Sequence, residues 1–217
     1  MYKKKYDKTI ILIPSYNEKK NLEKFINNLN LDYNVLVLDD SSTDDTVEFL
    51  EKMKIPFIKN NYKLGYEKNL IQGFKKILEK NIFETVVTMD ADGEHPIENI
   101  DEIMKFKKQL VIGNRRKKNR IIEFLLGKVF FMLYQIKDPS CGFRVYDIKA
   151  LCQIDNFTNM NFYLIDFLVF LVKRGYSYSN FDFNNPKRKD VSKVGNFLSI
   201  YVKYLRILFY VIYKKIF

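Results

Sequence analysis

The chain is 217 residues long, with 47% apolar and 29% charged side chains, eight Gly and five Pro. That is long enough to bury a core without disulfides or a metal staple, and it is neither disordered nor collagen-like. Lys and Arg outnumber Asp and Glu by 37 to 26. The excess is uneven: residues 1–102 hold 15 basic and 19 acidic side chains, and residues 103–217 hold 22 and 7. An anionic partner for the second half is implied. Two cysteines, Cys141 and Cys152, exclude a disulfide scaffold, and a single histidine, His95, argues against a His-rich zinc centre or a Ser-His-Asp triad. Met1 is followed by charged residues rather than an apolar leader, which reads as a cytoplasmic chain.

In chain order, apolar runs of strand length cover Thr9–Ile13, Asn34–Leu38, Ile55–Ile58 and Glu84–Met89. Helical patterns lie between them, at Lys19–Leu29, Asp44–Met53 and Gly65–Glu79, with Ser42 and Asp44 as caps for the second. A helix at Ile97–Phe106 and a strand at Gln109–Ile112 extend the series. Strands alternating with helices predict an α/β fold with right-handed crossovers and a mostly parallel sheet.

Two later segments are nearly all apolar. Ile121–Ile136 carries only Glu123 and Lys128, and Phe197–Tyr213 only Lys203 and Arg206. Seventeen helical residues reach about 25 Å, short of a hydrocarbon core of about 30 Å, so neither is expected to span a bilayer. In the second, Ser199, Lys203, Arg206, Tyr210 and Lys214 share one stripe of a helix. That pattern is read as a helix lying in a membrane interface, its basic residues reaching the headgroups; the alternative is a helix packed on its own sheet or on a partner.

In an open α/β sheet, ligands bind beyond the carboxyl ends of the strands. Ser15-Tyr16-Asn17-Glu18, Asp39-Asp40 and Asp90-Ala91-Asp92-Gly93-Glu94 all fall there. Asp90 and Asp92, two residues apart in an extended segment, can both reach one hard cation, with Glu94 as a third oxygen donor; Mg2+ and Mn2+ suit such a set. Tyr16 offers a ring to stack on a planar base, and Glu18 or Asp40 a carboxylate to accept from it. Gly65 reads as a turn starting a helix. No Walker pattern or Gly-x-Gly-x-x-Gly follows the first strand.

The stretches ILIPSYNE, VLVLDDSSTDDT, LGYEKNLIQGF, VTMDADGEHP, VIGNR and DPSCGFRVY occur in the order and spacing of family 2 glycosyltransferases, and the chain resembles their dolichyl- or polyprenyl-phosphate mannose and glucose synthase branch. The resemblance covers residues 9–195. It implies the GT-A fold, a Rossmann-like catalytic domain over 1–195 that includes the apolar segment 121–136; the helical pattern read above adds a C-terminal amphipathic membrane-interface helix over 196–217. The resemblance further implies a nucleotide-sugar site at Pro14, Tyr16, Glu18, Leu38, Asp40, Asp90, Ala91 and Asp92. Metal ligands at Asp90, Asp92 and Glu94 would bind Mg2+ or Mn2+, with Glu94 standing where that branch has Gln. Asp90, Asp92 and Arg115 would be catalytic. Arg115, Lys187, Arg188 and Lys193 would hold the acceptor phosphate, although Asp190 replaces a usual Gly there.

The implied reaction is inverting transfer of a sugar, mannose or glucose, from a GDP- or UDP-sugar to a dolichyl or polyprenyl phosphate at the cytoplasmic face of a membrane. A membrane-embedded partner subunit or a second copy is compatible with it. One rival keeps the fold and transfers to a sugar hydroxyl, with Asp138 or Asp166 as base. Another is a membrane-associated subunit that only binds nucleotide-sugar. The basic run Lys105–Arg120 contains no recognised nucleic-acid reader, so no nucleic-acid partner is expected.

Overall fold

The computed structural model describes residues 6–29, 33–157, 162–186 and 197–216. Its centre is β1 (Thr9–Ser15), whose TIILIPS sequence is rich in branched apolar residues and buried on both faces. β2 (Asn34–Asp39) and β4 (Thr85–Thr88) pair parallel on either side of it, and β3 (Phe57–Lys59) pairs parallel with β2. The chain then departs from an all-parallel pattern. β6 (Arg144–Asp147) inserts antiparallel between β4 and β5 (Leu110–Arg115), and β7 (Tyr178–Phe183) closes the edge parallel to β5. The order is β3-β2-β1-β4-β6-β5-β7. Winding runs outward from β1 in one direction and resumes at β4 in the other, so the switch point lies between the carboxyl ends of β1 and β4.

Side-chain alternation assigns the two faces. Ile10, Leu12, Leu36, Leu38, Val86, Leu110 and Ile112 meet α3 (Tyr66–Lys80), α5 (Ile121–Tyr134), α7 (Tyr163–Lys173) and α8 (Phe197–Ile216). Ile11, Ile13, Val37, Val87 and Val111 meet α1 (Lys19–Asn28), α2 (Thr46–Lys52) and α4 (Asn99–Met104). The short α6 (Ile148–Leu151) and a 3-10 turn at Cys152–Phe157 follow β6. α5 approaches closely because Gly127 has no side chain: a Cβ there would sit 2.5 Å from the Lys137 carbonyl oxygen.

The expected strands are present, β1 and β5 running further than the sequence suggested. The N-cap of α2 is Asp45 rather than Ser42 or Asp44; Asp44, just before it, accepts from Thr46 N–H at 3.1 Å, and Ser42 Oγ accepts from Asn17 N–H and ties the β1 end to the β2 end. No helix among the described residues is long and apolar enough to cross a membrane.

α8 corrects the picture of a separate C-terminal helix. Ile207 and Val211 are buried in the same core as Leu12 and Phe74. Lys203 reaches Glu67 of α3 at 3.2 Å, so part of the polar stripe faces the body of the protein. A second apolar face, with Val202, Leu205, Phe209, Ile212 and Tyr213, is exposed.

Candidate active site

At the switch point, three strand-end loops are locked together. Asn17, in the left-handed region at φ 56°, accepts through its side chain from the N–H groups of Thr43 and Asp44. Asp40 is buried and accepts from Leu64 N–H at 2.7 Å, Gly65 N–H at 2.8 Å and Asn60 Nδ2 at 3.1 Å. It thereby fixes residues 60–65, which place the Lys63 ammonium 3.5 Å above the centre of the Tyr16 ring. Glu18 is buried at the start of α1 and accepts from Asn21 Nδ2.

Asp90 and Asp92 follow β4. The Asp90 Oδ1 atom accepts from Tyr66 Oη at 2.8 Å. His95 Nδ1 accepts from Asp90 N–H at 3.0 Å, so the imidazole proton sits on Nε2, 3.8 Å from Asp90 Oδ2. The ring is buried and stacks on Phe143; it is a structural brace for the loop. Burial pushes the Asp90 carboxyl up, and the neighbouring Asp92 charge adds to this, while His95, the Tyr66 hydroxyl and Arg115 pull the other way. Glu94 is pushed up by burial and then by Asp92.

A cavity of about 420 Å³ opens on these groups. Strand ends and the 139–144 loop supply Asp90, Asp92, Glu94, Arg115 and Arg144; α3, α7 and α8 supply Leu70, Phe74, Leu164, Ile165, Ile200 and Ile207. Behind its charged wall lies a buried ionic network. Arg115 forms a two-point contact with Asp138, through Nε at 2.9 Å and Nη2 at 3.2 Å, and also donates to Ser140. Glu123 and Glu94 approach the same guanidinium at 3.4 and 3.6 Å, and Lys118 reaches Asp138 at 2.6 Å. Burial alone would lower the Arg115 pKa; Asp138, the Cys141 sulfur and Glu123 together outweigh it, and the group stays charged. Burial alone would raise Asp138, but Arg115 and Lys118 hold it at about 2. Burial raises the Cys141 thiol to about 12, which leaves it inert as a nucleophile.

The structure brings Asp90, Asp92, Glu94 and Arg115 to one cavity. Pro14, Tyr16, Glu18 and Asp40 do not line it but sit at the carboxyl-end side of β1 and β2, and Ala91 lies on a separate cleft with His95 and Pro96. Four expectations change. Leu38 is fully buried, its methyl groups fill the space under Gly73, and its carbonyl accepts from Asn69, so it offers a ligand no surface. Glu94 accepts from Asn119 at 2.8 Å besides facing Arg115, and no three carboxylate, thiol or imidazole groups among the described residues gather to hold an ion. Arg115 is not a spare cation, because Asp138 already takes its fork. Asp138 is fully buried and paired, and Asp166 accepts from Phe162 N–H at the start of α7, outside the cavity, so neither is placed as a base. Lys187, Arg188 and Lys193 lie outside the described residues.

Tyr66, Arg144 and Glu123 were missed. Arg144 is buried and donates to the carbonyls of Cys141 and Pro139 and to Tyr146 Oη. The signal for this wall was the Gly of DPSCGFRVY: a Cβ on Gly142 would fall 2.5 and 2.6 Å from the Asp90 oxygens.

Asp40→Ala is expected to cost about 2–3 kcal/mol, because three donors lose a charged acceptor. Urea unfolding checks it, and an unchanged midpoint would leave Asp40 to ligand contact alone.

Residues 10–150 match the family model described as Glycosyl transferase family 2. The chain belongs to that family. It is 29% identical over 181 residues to a UDP-N-acetylglucosamine–dolichyl-phosphate N-acetylglucosaminyltransferase of Methanococcus voltae, covering 67% of this chain and 72% of that one. It is 30% identical over 162 residues to a dolichol-phosphate mannosyltransferase of Pyrococcus furiosus, covering 63% of this chain and only 45% of that one. Among solved structures, the fold matches glucosyl-3-phosphoglycerate synthase of Mycobacterium tuberculosis with a TM-score of 0.69 at 16% identity, over 93% of this chain and 78% of that one. That protein was crystallised with Mn2+, UDP and phosphoglyceric acid, and elsewhere with Mg2+ and UDP.

Proposed function

We propose that this chain transfers a sugar, mannose or glucose, from a GDP- or UDP-sugar to a dolichyl or polyprenyl phosphate at the cytoplasmic face of a membrane, with inversion at the sugar carbon. The observation that carries the reading is the mixed lining of the cavity. Charged strand ends and apolar residues of α3, α7 and α8 share one space, which suits an acceptor with an anionic head and a hydrocarbon tail. The names of the relatives point the same way.

The donor would sit on the β1 and β2 ends, its base on Tyr16 once Lys63 moves aside. Asp90 and Asp92 fit a divalent cation in the manner of Mg2+ or Mn2+: one or two carboxylates from the protein, the remaining ligands from substrate phosphates and water. Their hard oxygens suit it, and a cation would offset both the burial and the Asp92 repulsion that push Asp90 up. Gly142 keeps the space beside Asp90 open. When bound, the cation supplies charge neutralisation at the leaving diphosphate. Lys187, Arg188 and Lys193, together with Lys203 at the cavity wall, would hold the acceptor phosphate. Arg115 instead keeps the network rigid. A phosphate monoester, with a second pKa near 6, arrives ionised and needs orientation more than a base. That agrees with Asp138 and Asp166 being unavailable, and it weighs against a hydroxyl acceptor. Comparing polyprenyl phosphate with the dephosphorylated polyprenol and with a free sugar tests this: transfer is expected to the phosphate alone, and transfer to the other two would overturn it.

The exposed face of α8 and the outward residues of α5, Ile121, Phe124, Leu125, Phe131 and Met132, lie on two helices that contact each other. Lys128, Arg206 and Lys215 are exposed along them. A membrane surface fits this face, the lysines and arginine adding about 1 kcal/mol each near anionic lipid. Leu205→Asp with Ile212→Asp is expected to abolish flotation with anionic liposomes while leaving the thermal midpoint nearly unchanged, since both side chains are exposed. Removing residues 197–217 is a different experiment: it takes Ile207 and Val211 from the core and one wall from the cavity, so activity on every acceptor should fall.

A further inference from the structure

The geometry assigns Tyr66 the task of positioning Asp90, and through it the cation site; this rests on the metal reading above. Few groups hold the rotation of the half-buried Asp90 carboxylate. His95 Nε2 stands 3.8 Å from Oδ2, beyond hydrogen-bond range. The hydroxyl of Tyr66, at 2.8 Å from Oδ1, is the short donor to the carboxylate. Gly142 borders the same pair: a Cβ there would fall 2.5 and 2.6 Å from the Asp90 oxygens and 2.7 Å from Tyr66 Oη. The hydrogen bond between Tyr66 and Asp90 thus forms in a space that only a glycine at 142 leaves free.

Tyr66 is itself held. It is the first residue of α3, directly after Gly65, whose φ of 85° sets the turn. Asp40 accepts from the N–H groups of Leu64 and Gly65. A line of hydrogen bonds and one backbone turn therefore runs from the end of β2, through residues 60–65 and Tyr66, to the end of β4. The same loop carries Lys63 over Tyr16. The half of the site that would take the nucleotide base is mechanically joined to the half that would take the cation, and Tyr66 is the joint. In sequence it looked like nothing more than the first turn of a helix.

Tyr66→Phe removes the hydroxyl and keeps the ring. Mn2+ binding is read directly by electron paramagnetic resonance, with the free-ion signal titrated in the presence of UDP or GDP. Tyr66→Phe is expected to weaken Mn2+ binding about 10-fold, the scale of one hydrogen bond to a charged group, with no shift in the urea midpoint. Gly142→Ala should weaken it comparably with Tyr66 intact. In an Asp90→Asn background, Tyr66→Phe should have no further effect. Wild-type Mn2+ affinity in Tyr66→Phe, or losses that simply add in the double variant, would overturn the assignment. Asp92→Asn separates the two levels. If it loses Mn2+ while Tyr66→Phe does not, only the role of Tyr66 fails; if Asp92→Asn and Tyr66→Phe both bind Mn2+ like the wild type, the metal reading fails and takes this one with it.

Discussion

Asp138→Ala is expected to cost about 3–5 kcal/mol of folding stability, because it strands a buried guanidinium. Arg115 loses both arms of its contact with Asp138, and Lys118 loses its closest carboxylate. Glu94 and Glu123 stand further off and cannot replace that fork. Urea unfolding measures the loss, and a change under about 1 kcal/mol would show the network to be dispensable. The double variant Asp138→Leu with Arg115→Met should recover much of it, since an apolar pair carries no desolvation penalty. The same pair sets an acid limit. The folded Asp138 pKa of about 2 lies below the usual carboxylate value, so its stabilisation is fully present above about pH 4 and lost as pH falls through 2. Roughly 2 kcal/mol is at stake, and the pH dependence of stability between 4 and 2 should flatten in Asp138→Asn.

Asp92→Asn is expected to lower transfer by roughly 100-fold or more at saturating Mn2+, because a charged ligand facing the diphosphate is worth several kcal/mol. Stability should move the other way. Asp92 raises the pKa of both Asp90 and Glu94, so removing its charge relieves repulsion in the free protein. Lower activity with an equal or higher thermal midpoint is the signature of a carboxylate kept for binding rather than folding. Near-normal kcat/KM in this variant would remove Asp92 from the metal site.

The parallel half of the fold was legible because each buried strand is an apolar run that stops at a polar strand end, as at Ser15, Asp39 and Asp90. The antiparallel β6 was not, since four residues of RVYD carry no sign of their direction or neighbours. Asp90 and Asp92 were found because they sit just where a strand ends, and Arg115 through the resemblance carried by VIGNR. What Arg115 does was hidden: its partner Asp138 is 23 residues away across α5, and only folding brings the two together. Tyr66 was hidden for the same reason, its target lying 24 residues on. For α8 the periodicity revealed a polar stripe and apolar remainder, but not that Ile207 and Val211 point inward while Leu205 and Phe209 point out. A period describes faces; which face is covered depends on the rest of the sheet.

Metal-dependent sugar transfer to a lipid phosphate is tested by incubating the protein with labelled UDP- and GDP-sugars and a polyprenyl phosphate, with Mn2+ and with chelator, and following label into the lipid phase together with the configuration at the transferred carbon. Labelled sugar phosphate lipid is expected from one of the donors, inverted at that carbon, only when Mn2+ is present. Equal transfer in chelator, retained configuration, or label that reaches sugar hydroxyls but never the lipid phosphate would contradict it.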